Sequence, residues 1–290
     1  MLRQKFLQEI ESARLMIHTS GYKSIDNICN AIHNGTFAPE VVEQTIISTR
    51  GELFSDQESN NGPQNPFDSW ENGSIAIIPL TGVMLKYGYW WSCGVDDIAA
   101  IIRLAYDSDK ISAVIIKVDT PGGNTDSLFL LQEVLSNKMK PTYGFVDGMC
   151  NSCGYIAASY MDKLYSINRM ARVGGIGVFA RMLIPNEDQS YYKVVEAYPD
   201  ESKDKNKPER EMAKGNDKPI KEELSKLALH FREIVTANRL GISEETLTGK
   251  TYYSFEAEEL GMIDGIRSLS DVISELTTLT ENRNKILTNL

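Results

Sequence analysis

Apolar residues change their spacing twice along the chain. Leu2, Phe6, Ile10 and Leu15 recur at near-helical intervals, as do Ile25, Ile28 and Ile32. Val41, Val42, Ile46 and Ile47 follow Pro39, a residue suited to a first helical turn. Residues 1–51 therefore read as a small helical appendage. Residues 52–73 lose the period and gather Ser, Asn, Gly and Pro, which marks a linker. From Ser74 short apolar runs alternate with amphipathic stretches. The run 74–80 predicts a strand, 95–106 a helix, 113–119 a buried strand and 127–135 a helix. Residues 141–148 predict a strand, 155–159 open a helix, and 163–168 predict another strand. This alternation implies an α/β fold with a mainly parallel sheet, its crossovers winding one way as a superhelix. Beyond Val178 the rhythm fades, and the charges, prolines and glycines of 199–219 read as an exposed loop. Leu224, Leu227, Ala228, Phe231, Ile234 and Val235 then share one helical face. Val272, Ile273 and Leu276 outline a helix in a tail of residues 269–290.

Composition narrows the class. The 290 residues are 42% hydrophobic and 24% charged, enough for a packed core. A net charge of -10, with lysines clustered only around 203–221, argues against a nucleic-acid partner. No apolar run approaches the roughly 18 residues that span a bilayer. The charges at Arg3, Lys5, Glu9, Glu11 and Arg14 are unlike a secretory signal, so a cytoplasmic location without membrane attachment is expected. Four cysteines make no disulfide scaffold and fit a reducing compartment.

Two turns carry the candidate chemistry. Asp119-Thr120-Pro121-Gly122-Gly123 lies where a buried strand gives way to a helix, the place where open α/β sheets bind ligands. It is either a tight connection or a site where backbone N–H groups meet a ligand. Cys150-Asn151-Ser152-Cys153-Gly154-Tyr155 lies at the next such junction. Ser152 there either caps the helix or presents a nucleophilic hydroxyl near a helix N-terminus, with a neighbouring amide for an oxyanion. Cys150 and Cys153 form a C-x-x-C, read as two small buried side chains ahead of a redox pair or half a zinc site. Tyr87, Tyr89, Trp90 and Trp91 fit a peptide groove or a subunit contact equally well.

Taken together, VDTPGG at 118–123, SCGYIAAS at 152–159, Asp162, GGIGV at 174–178 and TGKTYYSFEAEELGMID at 248–264 resemble the signal peptide peptidase A family. That family belongs to the Clp protease/crotonase superfold and includes the phage capsid-maturation proteases. The resemblance runs from about Ser74 to Ser268, making 74–268 a serine peptidase domain. It implies a superhelix of β-β-α units, with neither cofactor nor metal. It implies Ser152 as nucleophile and the backbone N–H groups of Gly123 and Cys153 as oxyanion hole.

The resemblance also implies a lysine base, in a loop after the Gly-Ile-Gly-Val segment and in a pattern like Lys-x-x-x-x-Pro. Lys203 and Pro208 match that register, with Lys205 and Lys207 as rivals. The histidines agree: His18 and His33 fall in the appendage and His230 on an amphipathic helix, outside the α/β rhythm. A lysine base must shed its proton near neutrality, which requires burial or a cationic neighbour. Where the family has Ser-Gly-Gly or Ser-Ala-Ala, this chain has Ser152-Cys153-Gly154, and a cysteine still offers its amide. Gly175 replaces the family's usual serine, whose hydroxyl is sometimes placed near the lysine.

The expected function is therefore a Ser-Lys endopeptidase that cleaves capsid or scaffold proteins during phage head maturation, in the host cytoplasm or the prohead. Its partners would be protein substrates and further copies of itself in a ring. The competing readings are an inactive relative serving as an assembly module, and a cytoplasmic peptidase of signal peptides or damaged proteins. A crotonase-type acyl-CoA enzyme fits poorly, because it lacks both the serine turn and the lysine loop.

Overall fold

The computed structural model describes residues 15–17, 27, 29–30, 65–88, 93–180 and 197–288. Its centre is a seven-stranded sheet built from β2 (Ser74–Thr81), β3 (Ile111–Thr120), β5 (Thr142–Asn151), β6 (Lys163–Ser166), β7 (Arg172–Gly174), β8 (Thr251–Tyr253) and β9 (Gly265–Ile266). The main path runs β2-β3-β5-β6-β9 with every pairing parallel. A parallel sheet must be covered on both faces, and the burial follows that rule. In β3, Ala113, Val114, Ile115, Ile116 and Val118 are all buried, so both faces are apolar. In β2, at the edge, Ala76, Ile78 and Leu80 are buried while Ile77 is exposed. Pro79 is tolerated in this strand because an edge leaves N–H positions unused.

Helices α1 (Val95–Asp107), α2 (Thr125–Ser136) and α3 (Cys153–Ser159) cover one face. α1 starts where the Asp97 carboxylate accepts the Gly94 N–H at 3.0 Å, and it buries Ile98, Ile102 and Ala105. α5 (Lys218–Asn238) adds Phe231, Ile234 and Val235 to the same core. After the short α6 (Ser254–Glu259), the opposite face is covered by α7 (Leu269–Thr288), whose Val272 and Leu276 pack on Ala113, Ile115, Tyr143, Phe145 and Tyr165.

The central strand β5 changes partners partway along. Residues 143–146 pair with β6, whereas 149–151 pair with β7, which turns antiparallel onto β8. At the break the register to β3 shifts, and the Asp119 carboxylate fills the gap by accepting the Met149 N–H at 3.0 Å. The end of β5 thereby leaves the main path for the β7–β8 branch of the sheet. The β-β-α unit that the resemblance implied is visible in β3, the short β4 (Gly122–Asn124) and α2. It returns in β5, whose last three residues serve as the second strand before α3.

Three expectations are corrected. Leu15, read as part of a helix, lies in a strand, β1 (Leu15–Ile17), which pairs antiparallel with β4. Tertiary pairing outweighs a weak local period there. Lys207–Ala213, read as loop, forms a helix, α4, with Pro208 in its first turn. Within the stretch read as linker, Pro66–Ser69 forms a 3-10 turn that buries Phe67, with the Asn65 amide donating to the Leu104 carbonyl at 2.7 Å.

Candidate active site

Ser152 occupies the step between β5 and α3 with φ 57° and ψ −123°. It is one of two non-glycine residues with positive φ among those described, and such a conformation costs about 1–3 kcal/mol. The surroundings enforce it. The Ser152 N–H donates to the Gly174 carbonyl at 2.7 Å, and its own carbonyl accepts the Ile156 N–H at 3.1 Å. The side chain makes no capping bond. The capping role weighed from sequence is therefore not the one this hydroxyl has. Ser152 is 3% exposed and held by its main chain, with its hydroxyl uncommitted among the described residues. α3 has seven residues, so its contribution to charge at the turn comes from its first amides, not from a long helix dipole.

β4 lies beside this turn. Met84 clasps it, donating its N–H to the Gly122 carbonyl and accepting the Asn124 N–H, both at 2.9 Å. The approach is so close that a Cβ at position 123 would stand 1.9 Å from the Met84 oxygen, so only glycine fits. The Gly122 N–H is held by the Thr120 hydroxyl at 3.1 Å, and that hydroxyl donates to the Gly82 carbonyl at 2.5 Å. Cys153 bridges the two motifs: its thiol points to the carbonyls of Gly123 at 3.7 Å and Asn124 at 3.6 Å. Burial pushes that thiol up to about 12, and it raises Cys150 as well. Both are free, buried thiols, and the C-x-x-C acts as packing.

Gly123, Ser152 and Cys153 are thus brought together. Lys203 is not brought to them. It ends the 3-10 turn Asp200–Ser202, exposed, with its carbonyl accepting from Arg210 at 2.6 Å. Among the described residues no hydrogen bond joins its amine to Ser152. Lys205 is exposed too. The Lys207 amine lies 2.9 Å from Asp204, whose hydrogen bond and charge raise its proton affinity, the opposite of what a base requires. His230 is on the solvent side of α5, 3.9 Å from Glu233. His18, His33 and the aromatic residues 89–91 lie outside the described residues, whereas Tyr87 is exposed.

Sequence reasoning missed Asn151, the residue before the serine. It is fully buried, and among the described residues neither its amide nitrogen nor its oxygen has a hydrogen-bond partner. An asparagine between Cys150 and Ser152, at the very end of β5, was the available signal. Its Cβ lies 3.8 Å from where a side chain at Gly175 would begin, and that point is 3.5 Å from the Ser152 nitrogen. A further network braces α3 from behind. The Tyr155 hydroxyl and Arg239 donate to the Met262 carbonyl at 2.9 and 2.8 Å, and Arg239 pairs with Asp264 at 2.9 Å. Beyond Gly177 an apolar cavity of about 460 Å³ opens between Val178, Phe179, Met212, Ile220, Leu224 and Ala228.

The family model for peptidase family S49 matches residues 135–283. Protease 4 of Haemophilus influenzae is 27% identical over 124 residues, which is 41% of this chain and 20% of that protein. Capsid assembly protease C of Escherichia phage lambda is 24% identical over 126 residues, 41% of this chain and 28% of its own length. Head-tail preconnector protein GP5 of Enterobacteria phage P21 is 24% identical over 252 residues, covering 81% of this chain and 49% of its own length. The chain therefore spans half or less of each of these relatives. Among solved structures, the 1510-N membrane-bound stomatin-specific protease aligns with a TM-score of 0.46 at 15% identity, covering 70% of this chain and 84% of that one. No helix among the described residues is long and apolar enough to cross a membrane.

Proposed function

Because the chain belongs to peptidase family S49, we propose that it is a serine endopeptidase with Ser152 as nucleophile and Lys203 as base. The observation that carries this reading is the backbone of Ser152, buried and forced to φ 57°, with a side chain that caps nothing. A purely structural serine gains nothing from such strain, whereas a nucleophile on a sharp strand-to-helix turn gains exposure to a substrate carbonyl.

In this reading neutral Lys203 takes the proton as the Ser152 oxygen bonds to the carbonyl carbon of the scissile peptide. The amides of Gly123 and Cys153 hold the oxygen that becomes negative. Collapse of the tetrahedral adduct breaks the C–N bond, the lysine proton goes to the leaving amine, and an ester to Ser152 remains. Water then enters by the same route in reverse roles, freeing the acid and restoring the serine. Lys203 is exposed in the structure, so this chemistry needs the 197–206 segment to fold onto the serine. That burial would also supply the desolvation that makes a lysine basic.

Residues 74–268 are the proposed peptidase domain, with 1–51, 52–73 and 269–290 as appendage, linker and tail. The names of the two phage relatives support capsid-related proteins as substrates. The proposal further has capsid or scaffold proteins cleaved in the host cytoplasm or the prohead, by a homo-oligomeric ring. The test is labelling with a fluorophosphonate probe in the wild type, Ser152→Ala and Lys203→Ala, with Lys205→Ala and Lys207→Ala alongside. Labelling should be lost in the first two variants and kept in the others. Undiminished labelling of Ser152→Ala would sink the nucleophile assignment. A folded wild type that never labels would favour the inactive assembly module.

A further inference from the structure

Among the described residues β1 and β4 stand outside the seven-stranded sheet, as a two-stranded sheet of their own. Leu15, Met16 and Ile17 pair antiparallel with Asn124, Gly123 and Gly122, and with nothing else. The partner of β1 is the strand that carries the glycine assigned to the oxyanion.

The orientation of β4 gives this pairing chemical meaning. In a strand the N–H and C=O of one residue point to the same side, and those of its neighbours to the other. The Gly122 carbonyl and the Asn124 N–H both point to Met84, so the Gly123 N–H and C=O point away from Met84, toward β1. Met16 stands directly opposite Gly123, so these two form the hydrogen-bonded pair of the ladder. The amide that an oxyanion would use is the one that faces Met16.

From this we infer that Gly122–Asn124 is a docking edge for an extended peptide, and that Leu15-Met16-Ile17 of the same chain is its resident occupant. The inference rests on the peptidase reading for the identity of the edge, but the pairing itself does not. A chain laid antiparallel on an open strand edge binds through its main chain, the mode by which sheets capture extended peptides. Gly123 offers no side chain that would block it. A three-residue strand paired on one side is only marginally stable, so the occupant is exchangeable. Incoming substrates of extended, apolar character would displace it and take up the same register, and until they do the site is closed from within.

The experiment uses the full chain. Met16→Pro removes the N–H that faces Gly123, whereas Ile17→Pro removes one that the same alternation turns away. Both are placed in the Ser152→Ala background, where no self-cleavage can intervene, and amide hydrogen exchange is followed over residues 120–126. Met16→Pro should speed exchange there by about tenfold or more, and Ile17→Pro by clearly less. A synthetic peptide of residues 11–20 (ESARLMIHTS) should restore the protection. Unchanged exchange in Met16→Pro overturns the proposal, as does failure of the peptide to restore protection. With Ser152 present, Met16→Pro should label with fluorophosphonate about threefold faster than wild type, because a larger fraction of molecules is open. Equal labelling rates alongside altered exchange would show that the segment docks without closing the site, which also overturns the proposal. If neither protein labels at all, the peptidase reading fails, and the docking edge is judged by exchange and peptide alone.

Discussion

The main-chain N–H of Ser152 donates to the carbonyl of Gly174 across 2.7 Å, and this bond holds the serine in its left-handed backbone. Gly174 is the last residue of β7, so the strain at the turn is imposed by the β7–β8 branch of the sheet. The branch in turn is anchored where the Gly175 N–H donates to the Lys250 carbonyl at 2.8 Å. The turn is therefore preorganised from both sides before any substrate arrives.

That strain predicts a stability paradox. Ser152→Gly should be more stable than wild type by about 1 kcal/mol, because glycine adopts this backbone without cost. Ser152→Ala should stay near wild type, since its Cβ suffers the same strain. Urea denaturation midpoints of the three proteins decide it. A destabilised Ser152→Gly would mean that the conformation is not strained in solution.

Asn151 predicts an opposition between stability and activity. A buried amide with both atoms unpartnered costs about 1–3 kcal/mol relative to an apolar group of the same shape. Asn151→Leu should therefore melt at the wild-type temperature or a few degrees above it, while its fluorophosphonate labelling rate falls at least about tenfold. A melting temperature well below wild type would show that the amide is satisfied in solution. Full labelling would show that it has no part in the site.

Legibility from sequence followed the range of the interactions. The parallel sheet was readable because burial on both faces makes β3 a continuous apolar run, and burial on one face gives α1 a helical period. β1 was not readable, because its conformation is set by a partner more than a hundred residues away in the chain. α4 was hidden by charge: Lys207, Glu209, Arg210 and Glu211 look like a solvated loop, and Pro208 alone marks a helix start. At the site, Gly123, Ser152 and Cys153 were legible as motifs. The strain at Ser152 and the orphaned amide of Asn151 were not, since both lie where β5 changes partners from β6 to β7. The lysine run could be found but not positioned, because nothing in its local pattern says which amine reaches the core.

Glu275 predicts the acid limb of the stability profile. Burial alone would raise its pKa, but hydrogen bonds from Lys163, Tyr165 and Tyr143, with the Lys163 charge, outweigh it and hold the carboxyl below its usual 4.5. A depressed folded value means that this group stabilises the protein above pH 4.5, and that the contribution is lost as pH falls below that point. Glu275→Gln should be less stable than wild type at pH 7, and the gap should narrow toward pH 3. Denaturation midpoints measured across that window check the sign. A gap that widened in acid would contradict it.

The thiols predict inertness. With Cys153 pushed up to about 12 and Cys150 also raised, neither carries thiolate at neutral pH. Iodoacetamide should leave both unmodified in the native protein over hours and alkylate both in denaturant, as read by peptide mass. Rapid native alkylation of Cys153, or a Cys150–Cys153 disulfide under mild oxidant, would revive the redox reading of the C-x-x-C.

The position of α7 bears on how the protein comes into being. Its Glu275 accepts from the Tyr165 hydroxyl, 110 residues earlier in the chain, and its Val272 and Leu276 cover the far face of β3 and β5. During synthesis at about 5–20 residues per second, the strands emerge on the order of 10 s before the helix that covers them. For that interval a row of alanine, isoleucine and aromatic side chains has no lid. The growing chain is then an aggregation-prone intermediate, and its yield should depend on chaperone capture between the emergence of Tyr165 and that of Leu276.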